Sequence, residues 1–415
     1  MNAGAIGRRT FASLASPNYR RYFAGQGISL IGTWMQTIAQ GWLVYSLTGS
    51  GTAIGLLVAL QMLPVLLLAP YGGLVADRLD KRRLMIAVQS WMAVLALALG
   101  LLTASGAVRL WHVFVLAGLL GVATAFDNPT RQSFVTELVG PDSLRNAVTL
   151  NSVLVNAARA IGPAIAGILI ATVGVSACFL INASSYLAVL ASLLLLDRSA
   201  LRPSTPAPRE RGQVRAGIAY VAGTPELAVP LLMMGLIGAL AYEFQVVLPV
   251  VARETFGGGP EVYGLMTAAM GVGAVVGGLV AATNGRIGTR AVITSGFAFG
   301  FAILLASVAP TLPFELAALV IVGAGSVRFL AAGNSTLQLA SRPEMRGRVM
   351  SLWAVAFLGS TPIGGPIVGF VAEHAGGRAG LLLGSVACFV ATGLGAFLLS
   401  REAETSLWRA GRTSC

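Results

Sequence analysis

The chain has 415 residues, 56% of them hydrophobic and only 11% charged, with a mean hydropathy of +0.79. A soluble domain carries about a quarter charged residues, so no water-soluble fold hides this much apolar surface and the bilayer must be the main solvent. The net charge of +12 is spread through short loops between apolar runs, which excludes nucleic acid as the partner.

In chain order, Arg8 and Arg9 precede an apolar run that leads directly into a second, so the first run is a retained helix rather than a cleaved signal. Spanning helices are expected at 22–46, 53–76, 84–104, 111–133, 145–171 and 175–196, and again at 227–251, 262–283, 290–309, 313–338, 346–371 and 379–400. Each supplies the ~20 apolar residues that a ~30 Å hydrocarbon core requires. The break at 197–226 holds Pro203, Pro206 and Pro208 among five arginines, which favours an extended linker. Arg209 to Val221 is expected as a short amphipathic surface helix. The organisation is thus a six-helix bundle at 1–196, a cytoplasmic linker at 197–226, a second six-helix bundle at 227–400 and a tail at 401–415.

Of the 28 Lys and Arg, only Arg109, Arg253 and Arg378 fall in odd-numbered connections, and Arg159 and Arg328 fall within spans. All others lie at the ends, in even-numbered connections or in the linker. That asymmetry puts both termini in the cytoplasm of a cell whose inner membrane the chain crosses. Three segments recur in both halves at similar offsets: Asp127-Asn-Pro-Thr-Arg-Gln with Gly333-Asn-Ser-Thr-Leu-Gln, Leu144-Arg-Asn with Met345-Arg-Gly, and Gly162-Pro163 with Gly365-Pro366. One six-helix unit is used twice, the architecture of transporters with a site at the repeat interface.

Other classes fit poorly. The single lysine, Lys81, is followed by Arg82, so there is no P-loop. Cys178 and Cys388 lie inside apolar runs, and no disulfide is expected with Cys415. His112 and His374 sit at separate helix ends, which provides neither a metal centre nor the clustered groups of a membrane enzyme; no cofactor is expected. A receptor would be expected to carry an added soluble domain, for which the tails are too short.

The loop after the second helix reads Gly72-Gly73-Leu-Val-Ala-Asp77-Arg78-Leu-Asp80-Lys81-Arg82-Arg83. It resembles the signature loop of the major facilitator superfamily. The glycines permit a close helix approach, and Asp77 can pair with Arg131 or Arg83 to latch the cytoplasmic side; the bland alternative is a basic cluster that sets topology. Asp80 stands where the family favours glycine, and the second-half copy keeps only Asn284, Gly285 and Arg290. Gly162-Pro163 with Gly167 resembles the motif of the family's antiporters, which implies export; a plain packing kink is the alternative. Gly25-Gln-Gly-Ile-Ser, Trp42-Leu-Val-Tyr-Ser and Phe126-Asp127-Asn-Pro-Thr-Arg131-Gln resemble the twelve-helix exporter branch that includes enterobactin exporters and macrolide-type efflux proteins. Thr33 occupies a helix 1 position where many members have an acid.

Glu243 in helix 7 is therefore the expected proton carrier, because burial disfavours the charged form of a carboxyl. Two readings are open: a coupling acid, or a structural partner of Arg159 or Arg328. Asp127 is expected to pair with Arg131 one turn on, or with the loop after helix 2, as part of the gate. In this fold helices 1, 4, 7 and 10 line the cavity. Trp34, Gln36, Gln40, Tyr242, Gln245, Phe329 and Asn334 are the expected substrate contacts, a set suited to an amphiphilic organic molecule. The expectation is an all-α membrane exporter, working as a monomer by proton antiport; symport uptake of a nutrient is the alternative.

Overall fold

The computed structural model describes residues 12–201, 213–284 and 287–412, and among them there is no strand. The long helices are α1 Pro17–Thr48, α2 Gly51–Arg78 and α3 Lys81–Ala104. They continue as α4 Leu110–Gly140, α5 Ser143–Thr172, α6 Val175–Leu194 and α7 Pro225–Thr255. The rest are α8 Pro260–Asn284, α9 Thr289–Ser307, α10 Leu312–Ala340, α11 Arg346–Ala375 and α12 Gly377–Arg401. Among the described residues, 11 helices are long and apolar enough to cross a membrane. The remaining long helix, α1, spans 32 residues and interrupts its apolar run with Gln26, Gln36 and Gln40. The prolines and Arg202, Arg209 and Arg211 of the expected linker lie outside the described residues, as do Arg8, Arg9, Gly285 and Cys415. Of the expected surface helix, Gln213–Ala222 is helical.

Helix ends follow local chemistry. The Ser16 side chain accepts from the Tyr19 N–H with Pro17 opening α1, and Gly49 closes it at φ 65°. Asp80 caps α3 by accepting the Arg83 N–H at 3.0 Å, so the acid found in place of the family's glycine starts the helix. The corner between α4 and α5 is made by one residue, Gly140, at φ 71° and ψ 176°.

Contacts sort the chain into two units. The first comprises Met1–Gly49, Leu60–Pro208 and Gly258–Gly271; the second comprises Ser50–Ala59, Arg209–Gly257 and Val272–Cys415. The start of α2 thus packs with α11, and the start of α8 with α5. In the second unit Gly51 and Gly55 meet the backbone of Gly369 and Gly365. Glu373 there accepts from the Ser50 hydroxyl at 2.5 Å and the Thr52 N–H at 3.0 Å, serving the free amides at the start of α2. Its aromatic core stacks Phe329 on Phe299, with Phe244 at 6.3 Å from Phe299.

The first unit encloses Tyr19, Tyr22, Met85, Phe134 and Leu193. Its interior also holds charge. Lys81 Nζ reaches Glu137 Oε1 at 2.6 Å with both side chains buried. Arg82 donates to the Leu193 and Leu194 carbonyls at 2.6 and 3.2 Å, closing the C-terminus of α6. Lys81→Met strips a buried carboxylate of its ammonium and is expected to cost about 3–5 kcal/mol, read as a lower unfolding midpoint in detergent. Adding Glu137→Leu is expected to restore most of it. A Lys81→Met protein as stable as wild type would show that the pair contributes nothing.

Candidate functional site

Two helices of the second unit are broken, and the breaks meet. α7 is helical over Pro225–Ala241 and resumes at Phe244–Val250, leaving Tyr242 and Glu243 non-helical. α11 is helical over Arg346–Leu358 and again over Thr361–Ala375, with Gly359 and Ser360 between. Pro362, in the first turn of the second piece, cannot donate back to the first, so the helix stops before it. The helices cross backbone to backbone, Gly364 lying against the Ala239 carbonyl, while a methyl at Gly238 would come within 2.9 Å of the Ser360 hydroxyl. The Tyr242 hydroxyl donates to the Ser326 carbonyl of α10 at 2.8 Å, and its ring meets Phe357 edge-on.

Glu243 sits at this crossing and is 4% exposed. A Cβ at Gly365 would stand 3.6 Å from its Oε2, the Thr361 side chain is close enough to act on its charge, and its Oε1 has no hydrogen-bond partner among the described residues. The carboxyl therefore faces the opening turn of the second piece of α11, whose free amides form the positive end of a helix dipole. Gain or loss of one proton there changes both the interaction with Thr361 and the attraction to that helix end.

Within its own unit, Glu243 makes no ion pair with Arg328 among the described residues. Arg328 is exposed and opens into a cavity of about 620 Å³ with Thr294, Ser295 and Ser335. Arg159 belongs to the first unit, where its guanidinium lies 4.8 Å from the Trp34 ring centroid. Gly162 packs on α1, an added methyl falling 2.7 Å from Trp34 Cβ and 2.8 Å from the Ile31 carbonyl. Gly167 and the Pro163 carbonyl approach Gly264 of α8. Both glycines of the motif are thus used for helix contact.

Among the gate residues, Asp127 is buried, accepts from Gln89 at 2.7 Å and pairs with Arg131 at 3.6 Å. The expected pair of Asp127 and Arg131 is present. Arg83 lies 3.7 Å from Asp80. Asp77 and Arg78 stand at the end of α2, with Asp77 half-buried and Arg78 exposed. Close approach there comes from Gly72, against the Ala125 carbonyl, beside the expected Gly73.

The expected substrate contacts divide. Gln36 accepts from Asn182 at 2.7 Å, Gln40 is 2% exposed and Phe329 is fully buried. Gln36 is bonded to Asn182 and Phe329 is stacked on Phe299, each within its own unit. Trp34, Tyr242, Gln245 and Asn334 are half-buried.

Two buried acids, Glu137 and Glu315, escaped the sequence reading, which placed only Arg159, Glu243 and Arg328 deep in the membrane. Glu137 and Glu373 have the partners described above. Glu315, in the first turn of α10, is fully buried. Glu137 and Glu373 lie beyond the ends of the expected spans, and Glu315 lies at the margin of the expected span 313–338, in the first turn of its helix.

Residues 8–409 match the family described as transmembrane secretion effectors, one of the major facilitator families. The staphyloferrin A transporter of Staphylococcus aureus (strain NCTC 8325 / PS 47) is 28% identical, the match covering 62% of this chain and 65% of that protein, just under two thirds of its length. The enterobactin exporter EntS of Escherichia coli O1:K1 / APEC is 24% identical over 92% of this chain and 90% of its own. The crystal structure of the nucleoside transporter NupG superposes with a TM-score of 0.75 at 12% identity, covering 92% of this chain and 99% of that one, which is a likeness of fold alone.

Proposed function

Because this chain belongs to the transmembrane secretion effector family of major facilitator transporters, we propose that it exports a small amphiphilic organic molecule across the inner membrane by proton antiport and alternating access. The protein is a multi-pass membrane transporter and not an enzyme. The observation that carries the coupling reading is Glu243, a carboxyl held at the crossing of two broken helices with one oxygen unbonded. Discontinuous helices near the midplane are where such transporters hold substrate and coupling ions.

Export, with a siderophore or antibiotic as cargo, is supported by the names of the relatives and by the helix contacts of Gly162 and Gly167. The half-buried Trp34, Tyr242, Gln245 and Asn334 are our substrate-contacting set, and Asp77 with Arg78 the cytoplasmic gate. The arginine distribution supports cytoplasmic termini, and a monomer suffices for this mechanism.

The test uses everted vesicles with an acidified interior and a panel of catecholate siderophore, hydroxycarboxylate siderophore and macrolide. Uptake of one of them into the vesicles, with proton release in exchange, is the expected result. Accumulation only in right-side-out vesicles, with protons moving alongside substrate, would replace export with symport uptake.

A further inference from the structure

Glu315 is a second carboxyl that the coupling site does not use. It lies one turn into α10, whose chain enters at Thr311. It is 0% exposed, and neither Oε1 nor Oε2 has a hydrogen-bond partner among the described residues. A carboxylate held dry without hydrogen bonds is the costly state of this group, and a neutral carboxyl is the tolerable one.

The charge that bears on it is the Arg378 guanidinium at the start of α12, itself donating to the Ala309 carbonyl just past α9. The other charged groups on neighbouring elements are placed elsewhere. α9 carries Arg290 at its opposite end, and α11 carries Arg346 and Arg348 at its far end and Glu373 bonded to α2. On α7, Arg253 and Glu254 are exposed and Glu243 is at the break. On α8, Glu261 accepts the Gly259 N–H within the first unit.

Glu243 lies on the seam between α9 and α12. Glu243 borders a cavity of about 10 Å³ together with Ile303 of α9 and Gly380 and Gly384 of α12, about the room of one water. Ile303 is four residues before the end of α9 at Ser307, roughly 6 Å along the helix, with Ala309 two residues further on, and Gly380 is two residues after Arg378. The α9–α12 seam therefore runs from the cavity beside Glu243 to Arg378, whose charge acts on Glu315.

We propose that Glu315 is a second proton-binding carboxyl of the transport cycle, loading at the end of the seam remote from the arginine-rich loops and exchanging with Glu243. A hydronium ion gives its proton to the Glu315 carboxylate and leaves as water. The proton then passes, through water in the seam, to the Glu243 carboxylate, and Glu315 returns to the anion, compensated by Arg378. The proposal rests on the coupling role of Glu243.

The test compares Glu315→Gln, Glu315→Asp and Glu243→Gln in whole protein in liposomes carrying a pH gradient, with substrate counterflow and infrared spectroscopy of protonated carboxyls. Glu315→Gln is expected to keep counterflow, to lose one carboxyl band and to lose uphill accumulation, a drop of up to ~50-fold per proton at 100 mV. Glu315→Asp is expected to restore part of that and to shift the band. Uphill transport at the wild-type level in Glu315→Gln, beside an inactive Glu243→Gln, overturns this inference alone. Wild-type pumping by Glu243→Gln overturns the coupling site and, with it, the exchange. If Glu315→Gln does not fold, an unshifted carboxyl band in Glu315→Asp overturns the proposal.

Discussion

Glu243→Gln is expected to abolish uphill efflux while leaving the protein folded and able to exchange substrate by counterflow. The residue closes the gap in α7 through its backbone, its carbonyl accepting the Val246 and Val247 amides at 3.0 and 3.2 Å, and glutamine keeps those bonds. The side-chain amide has the shape of the protonated acid and still offers an oxygen to Thr361. What it lacks is the second protonation state. One proton charge moving through 100 mV supplies about 2.3 kcal/mol, a gradient of ~50-fold. Accumulation should collapse towards unity, and the pH dependence of the rate should flatten. Unchanged uphill transport would remove the residue from the coupling mechanism. Loss of folding would show instead that the crossing needs the carboxylate itself.

A single methyl at Gly364 is expected to be nearly as damaging. An added Cβ falls onto the Ala239 carbonyl, a backbone atom that cannot turn aside. Overpacking of this kind costs about 1–3 kcal/mol, and here the strain falls where α7 and α11 present Glu243 to Thr361. Displacing a functional group by ~1 Å costs on the order of 100-fold in rate. Gly364→Ala should therefore lower both the detergent unfolding midpoint and the transport rate. The matched control is Gly235→Ala on α7, where nothing lies within 4 Å of the new methyl and a helical glycine is replaced by a better helix former. That variant should transport normally and be slightly more stable. Equal behaviour of the two proteins would mean that the crossing has slack, and the close approach would carry no functional weight.

The helices and their order were legible from the sequence because the bilayer makes the signal local. Each span must satisfy its own backbone, so a long apolar run becomes a helix whatever its neighbours do. The expected spans accordingly reappear, with α4 running on to Gly140, and Ser16, Pro17 and Asp80 mark helix starts by chemistry confined to one turn. Asp127 with Arg131 was equally legible, since residues four apart share a helix face.

What the sequence could not contain is which face of each helix meets protein. Lipid and a neighbouring helix are both apolar, so a fully buried Leu319 and a 66% exposed Leu279 look alike in the sequence. The pairing of Lys81 with Glu137, the breaks in α7 and α11, and the burial of Glu315 all depend on contacts between distant segments. The bond of Gln36 to Asn182 and the stacking of Phe329 on Phe299 depend on such contacts too. Tertiary structure alone decided where the charges of this protein are buried, because that choice is made by neighbours and not by the helix that carries them.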